Sequence, residues 1–117
     1  MLKLIAWEER HLLMPRHDAL DIRTLIDSYA APWNEDRLYT DADDLMRRFG
    51  YDNTLAAAAL LGRDTAAIAR PATLDRIRRI VERETSSETF LLPAEMGRRV
   101  EENLALLEAL LIGFETA

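Results

Sequence analysis

One long apolar helix constrains this chain more than anything else in its sequence. From about Ala94 to Phe114, the residues Met96, Val100, Leu104, Leu107, Leu111 and Phe114 follow one another at spacings of 4, 4, 3, 4 and 3. That rhythm matches the 3.6-residue turn of an α-helix. Leu106, Leu110 and Ile112 widen the apolar arc beyond a narrow seam. Burying one leucine is worth about 1.5–3 kcal/mol, so such an arc has to be covered, either by other helices of the same chain or by a second copy of it.

The rest of the sequence supplies helices for that purpose. Residues 2–13 read as a first helix, ended by Pro15, and residues 16–31 as a second, stopped by Pro32. Asn34 is placed to cap a short helix carrying Leu38 and Tyr39, and Asp41 or Asp43 to cap the turn of Leu45, Met46 and Phe49. Gly50 suits the left-handed residue that closes a helix. Asp52 or Asn53 caps the run of alanines and leucines from Leu55 to Leu61, whose small side chains let helices approach closely. Gly62 reads as an interruption, with Asp64 restarting a short turn through Ile68. Arg70-Pro71 opens a further helix, because proline is tolerated at the first helical position. Its buried stripe is Leu74, Ile77, Ile80 and Val81; Arg76, Arg78, Arg79 and Arg83 line the remaining faces, paired with Asp75, Glu82 and Glu84. The polar stretch 85–88 is the most linker-like in the chain. No sustained alternation of period two and no Asn-Gly hairpin occurs. The expectation is an all-α fold, a compact bundle of about six or seven helices forming a single helical domain over residues 1–117.

Composition narrows the function classes. Fifteen basic residues stand against 21 acidic ones, a formal −6, which argues against nonspecific nucleic-acid binding. With no cysteine there is neither a disulfide framework nor a thiolate metal site. No run of about 18 apolar residues exists to span a membrane. Glu8 and Glu9 interrupt the amino-terminal apolar segment and no small-residue cleavage site follows, so a cytoplasmic protein is expected. Apolar helix begins directly after Met1, as though a partner covers this end or something has been cut away.

Candidate chemistry gathers at the start of the second helix. Ile22, Leu25, Ile26 and Tyr29 form its apolar stripe; at 100° per residue Asp18 falls in line with that stripe and Asp21 at its edge. Two readings compete. Asp18 can be the N-cap, with Asp21 in the positively polarised first turn, which is the commoner use of aspartate there. Alternatively, both carboxylates belong to a site completed from outside the chain. His11, His17, Asp18 and Asp21 contain metal-ligand chemistry, but the histidines sit on different segments and no His-Glu-x-x-His pair occurs; no metal site is expected. Asp41, Asp43 and Asp44 lack the glycine and the terminal glutamate of a calcium loop. Neither a Gly-rich phosphate loop nor a nucleophile elbow is present. Lys3 is the only lysine, all other basic residues being arginine. A lone lysine can reach a phosphate as a point charge or extend into solvent from a helix end; on the residues alone, the second is favoured.

The order Lys3-Leu4, then Arg16-x-Asp18-Ala19-x-Asp21-Ile22, then Asn34-Glu35-Asp36-Arg37-Leu38-Tyr39, then Leu60-Leu61-Gly62-Arg63-Asp64 resembles the carboxy-terminal helical half of bacterial nucleotidyltransferases related to the AbiEii/AbiGii toxins of type IV toxin–antitoxin systems. The resemblance runs from Leu2 to about Val81 and more loosely over the last helix. It implies Lys3, Asp18 and Asp21 as catalytic residues, with Lys3 facing phosphates and Asp18 orienting it or the acceptor. It further implies Lys3, Arg16 and His17 as nucleotide-binding, although His17 stands where the family has a second lysine. In that family a mixed sheet carries a Gly-Ser turn and paired aspartates that hold Mg²⁺ and the nucleoside triphosphate. Neither precedes Lys3 here. The chain alone is therefore expected to bind no cofactor and to catalyse no transfer; Mg²⁺ and NTP would enter only with a catalytic half supplied by a partner. The expected partners are that catalytic half or a second copy of the chain, together with an antitoxin. The competing expectation is a stand-alone helical module that dimerises through its first and last helices.

Overall fold

The computed structural model describes residues 1–13, 16–86, 91–97 and 99–116. Among them are eight α-helices and no strand: α1 (Leu2–Arg10), α2 (His17–Tyr29), α3 (Glu35–Thr40), α4 (Asp43–Arg48), α5 (Asn53–Ile68), α6 (Pro71–Ser86), α7 (Leu91–Glu95) and α8 (Val100–Glu115), with a 3₁₀ turn at Pro32–Asn34. The all-α expectation holds. The expected break at Pro15 and the second half of the stretch 85–88 (Ser87 and Glu88) lie outside the described residues.

α5 and α8 are the axis of the bundle. α2, α3 and α4 pack on α5, α6 and α7 pack on α8, and α1 lies across α2 and α6. The apolar arc of α8 is covered in large part from within the chain: Leu106, Leu107, Ala109, Leu110 and Phe114 are buried, as are Ala56 to Leu61 on α5. Val100 remains exposed and Leu104, Leu111 and Ile112 half-buried.

Two glycines set how near the axis helices come. A Cβ placed on Gly62 would stand 2.2 Å from the carbonyl oxygen of Leu110, and one on Gly113 would stand 1.9 Å from that of Ala59. Gly62 therefore does not interrupt its helix, as the local sequence suggests. α5 runs unbroken through it, and the conformational cost of a mid-helix glycine, about 0.5–1 kcal/mol, is offset by backbone-to-backbone packing.

Other boundaries fall as their capping residues dictate, with corrections. Asp52 caps α5 by accepting the Leu55 N–H at 3.1 Å, Gly50 follows α4 at φ 61°, and Pro71 is the first residue of α6. α1 ends at Arg10, with a turn to Leu13. α6 continues through Thr85 and Ser86, whose hydroxyls donate back to Val81 and Glu82 carbonyls at 2.8 and 2.6 Å. The long last helix is two elements: Pro93 sits inside the short α7, Met96 and Gly97 turn the chain (Gly97 at φ 80°), and α8 starts at Val100. Asn34 caps nothing with its side chain. It is fully buried and donates from Nδ2 to the Tyr29 carbonyl at 2.9 Å, tying off the end of α2.

Candidate functional site

On α1, Lys3 and Arg10 are seven residues apart and share a face, beside the buried pair Leu4 and Trp7. On α2, Asp18 and Asp21 are three apart and also share a face. Where the two helices cross, these faces meet. Arg10 donates to Asp18 through Nε and Nη2 at 2.6 and 2.8 Å, a bidentate fork. Lys3 Nζ lies 3.2 Å from Asp18 and 2.9 Å from Asp21. The Asp18 side chain is 1 % exposed, whereas Lys3, Arg10 and Asp21 are 42, 42 and 48 % exposed.

Asp18 is therefore not a cap. The residue before the helix is Arg16, in the left-handed region at φ 76°, and no side-chain cap bond forms. The carboxylate is spent instead on two cations from the neighbouring helix, a partner that periodicity within α2 could not reveal. Arg10, and then Lys3, hold its pKa down from 3.8 to about 2 against the opposing push of burial. Asp21, and then Asp18, in turn raise that of Lys3. The solvent-extended reading of Lys3 is corrected accordingly: its ammonium bridges two carboxylates.

His17, Asp18 and Asp21 do offer ligand atoms within 4.8 Å of one another. That space already has a cation, because the Lys3 ammonium sits between both carboxylates and the fork of Arg10 takes Asp18. Lys3, Arg10, Asp18 and Asp21 sum to no net charge. Lys3 carries three donors and Arg10 five, so each keeps some for a ligand oxygen. Asp21, half-exposed, forms its ion pair with Lys3.

The other nucleotide-binding candidate, Arg16, is drawn elsewhere. Its backbone N–H points at Glu95 at 3.4 Å, and a Cβ on Gly97 would lie 3.5 Å from its guanidinium. Glu95 also accepts Trp7 Nε1 at 3.0 Å and stands 3.9 Å from His11, whose ring stacks on Trp7. His11 thus belongs to a contact between α1 and α7 rather than to the Asp18 cluster.

Three further buried polar groups serve the scaffold, and sequence reasoning missed them. Arg23 on α2 reaches Asp27 at 2.9 Å, Glu102 at 2.6 Å and the side-chain oxygen of Asn103. Asn103 donates to the carbonyls of Pro93, at 2.9 Å, and Gly97. Glu84, taken from sequence as a surface partner of arginine, is buried; it accepts the Leu92 N–H at 2.7 Å and so ties α7 to α6. Each occupies the apolar phase of its helix: Arg23 with Ile22 and Ile26, Asn103 with Leu106 and Leu107, Glu84 with Ile77, Ile80 and Val81. A polar residue in that phase was the available signal.

The pieces Asn34–Tyr39 and Leu60–Asp64, which stood out in the sequence, meet in space. Arg37 forks onto Asp64 at 3.0 and 2.9 Å, and Tyr29 donates to the same carboxylate at 2.7 Å. Arg63 pairs with Asp44, and Asp43 with Arg47, so two of the three aspartates of this stretch are taken up by ion pairs. On α6, Arg76 pairs with Glu8 and Glu9 of α1, Arg83 with Glu8 and Glu84, and Arg78 with Asp75, while Arg79 donates to the Asp75 backbone carbonyl.

Among the described residues no helix is long and apolar enough to cross a membrane. Compared with known proteins, the chain matches no family model, no curated protein and no solved structure.

Proposed function

We propose that this chain is the helical companion of a nucleotidyltransferase-like assembly of the AbiEii/AbiGii kind, one that supplies a wall of a nucleotide site and does not transfer nucleotides alone. The observation that carries this reading is the buried Asp18 carboxylate, kept ionised at pH values well above 2, which fixes Lys3 and Arg10 side by side at a solvent-facing edge. Two cations of fixed spacing suit the oxygens of a polyphosphate. A triphosphate reaching Lys3 would take it from Asp21 and leave Asp18 as its anchor. The metal-binding carboxylates and the acceptor come from the partner that bears the catalytic half, and an antitoxin is a further partner implied by the resemblance.

Because Lys3 is the only lysine, selective isotopic labelling of lysine gives a single side-chain signal. Titration with ATP and Mg²⁺ is expected to move that signal, and less so in Asp18→Asn. Incubation of the chain with NTPs, Mg²⁺ and RNA acceptors is expected to give no transfer. A Lys3 signal indifferent to millimolar ATP refutes the reading of the site; robust transfer refutes the dependence on a partner.

A second reading, a self-associating helical module, is favoured by one observation: Leu2 and Ile68 stand 69 and 87 % exposed. In that reading the contact runs through the first and last helices, on which Leu2 and Val100 stand exposed.

A further inference from the structure

We infer that the exposed side of residues 33–39 docks an arginine carried on a basic segment of a partner protein. This surface goes beyond the nucleotide reading and does not depend on it.

Along the 3₁₀ turn and α3, Asn34 and Leu38 point into the bundle and are buried. At 100° per residue, the direction opposite them is that of Asp36. Trp33 and Tyr39 flank that direction, each about 60° to one side. They are 64 and 51 % exposed, and Glu35 and Asp36 are exposed with them. The segment therefore keeps an asparagine inside and leaves two large aromatic side chains in solvent, where aromatic residues otherwise mark the centres of protein interfaces. The indole of Trp33 is steadied by the ring of Tyr29, 5.9 Å away and nearly perpendicular at 79°. Tyr29 is itself held by donating to Asp64 at 2.7 Å.

The occupant follows from charge. Residues 33–44 carry five carboxylates against the one cation Arg37, a net −4 within a formal −6 for the whole chain. Arg37 is spent on Asp64, and Asp43 and Asp44 are paired with Arg47 and Arg63. Glu35, Asp36 and Asp41 have no cationic partner among the described residues. Glu35 and Asp36 suit the first turn of α3, a role that leaves their carboxylates open to solvent. An exposed indole beside open carboxylates is a setting for a cation, and tryptophan is the best of the aromatic side chains for it. Arginine fits better than lysine, because its planar, weakly hydrated guanidinium stacks on a ring while its fork reaches a carboxylate. A nucleobase also stacks on indole, but its phosphates would meet the same net negative charge.

Titrating the full chain at low ionic strength into a dye-labelled octapeptide of alternating arginine and glycine, read by fluorescence anisotropy, tests this. The unlabelled peptide is expected to quench Trp33, while the buried Trp7 holds its emission. Trp33→Ala and Asp36→Asn are each expected to weaken binding about two- to fivefold. Glu108→Gln, the same loss of charge at an exposed position of α8, is expected to leave it unchanged. All three side chains lie outside the core, so circular dichroism should match wild type. A lysine–glycine peptide should bind more weakly, and a glutamate–glycine peptide not at all. No binding at millimolar protein, or binding indifferent to both Trp33→Ala and Asp36→Asn, overturns the surface. An equal loss in Glu108→Gln overturns it in favour of diffuse attraction to an acidic chain. A lysine peptide bound as tightly overturns the choice of arginine.

Discussion

Replacing Gly113 by alanine asks whether contact between the axis helices outweighs local helix preference. In an open helix this change stabilises by about 0.8–1.0 kcal/mol. Here the new Cβ would lie 1.9 Å from the Ala59 carbonyl oxygen, 2.8 Å from its carbonyl carbon and 2.9 Å from the Arg63 nitrogen. Carbon meets a carbonyl oxygen at no less than about 3.3 Å, so the first contact is short by about 1.4 Å. Every atom in the way is backbone, and no rotamer can relieve it. α5 and α8 must part, and a gap of about 0.5–1 Å already forfeits a quarter to a half of each dispersion contact along the seam. Overpacking of this kind costs about 1–3 kcal/mol; with backbone on both sides the upper end applies, and a net loss of about 2 kcal/mol remains after the gain in propensity. Urea unfolding followed by circular dichroism should show the midpoint falling by about 1 M at unchanged slope. Gly62→Ala, 2.2 Å from the Leu110 oxygen, should behave alike, and the double variant should lose less than the sum because one separation relieves both clashes. A Gly113→Ala protein as stable as wild type, or more so, would refute the reasoning.

Asp18→Asn should destabilise by about 1–2 kcal/mol at neutral pH. The lowering of the carboxyl from 3.8 to about 2 sets a ceiling of about 2.4 kcal/mol, reduced because its cationic partners are partly in solvent. Since the folded pKa is the depressed one, this stabilisation is present in full above about pH 4 and fades as the pH falls through about 2. Urea titrations should show the two proteins converging between those values, and a gap constant down to pH 2 would disprove the assignment. Asn103→Ala leaves Arg23 short of an acceptor and two carbonyls short of a donor in the interior; a loss of about 2–3 kcal/mol is expected in thermal melts, and an unchanged Tm would show that the network is dispensable.

What could be read in advance was whatever a helix announces within its own span. The apolar phases of α2 and α6, the Asp52 cap, the Gly50 terminator and the Pro71 start are local signals, and they hold; on α8 the buried phase is turned toward Asn103, Leu106 and Leu110, leaving Val100 exposed. The failures share a cause: the residue's partner lies far along the chain. Gly62 resembles a break until Leu110 is seen against it. Asp18 resembles a cap until Arg10 and Lys3 reach it from α1. Pro93 resembles the lead-in to a long helix, whereas Asn103 and Glu84 hold a separate short one around it. The candidate site was legible in part. Periodicity put Asp18 in the buried phase and Asp21 at its edge, which their burial matches. Nothing in that periodicity brought Lys3 to them, and only the resemblance placed the three together. Arg10 was passed over altogether, because an arginine in the last turn of a helix is unremarkable until its bidentate partner is known.

The pairing of α5 with α8 bears on how the chain comes into being. Ribosomal synthesis delivers α5 well before α8, and until Phe114 has cleared the exit tunnel the alanine face of α5 has nothing to close against. Helices α1 to α6 must therefore wait as a loosely organised intermediate with apolar surface exposed. Nascent chains stalled just short of α8 should be protease-sensitive and attractive to chaperones, with protection arriving in one late step.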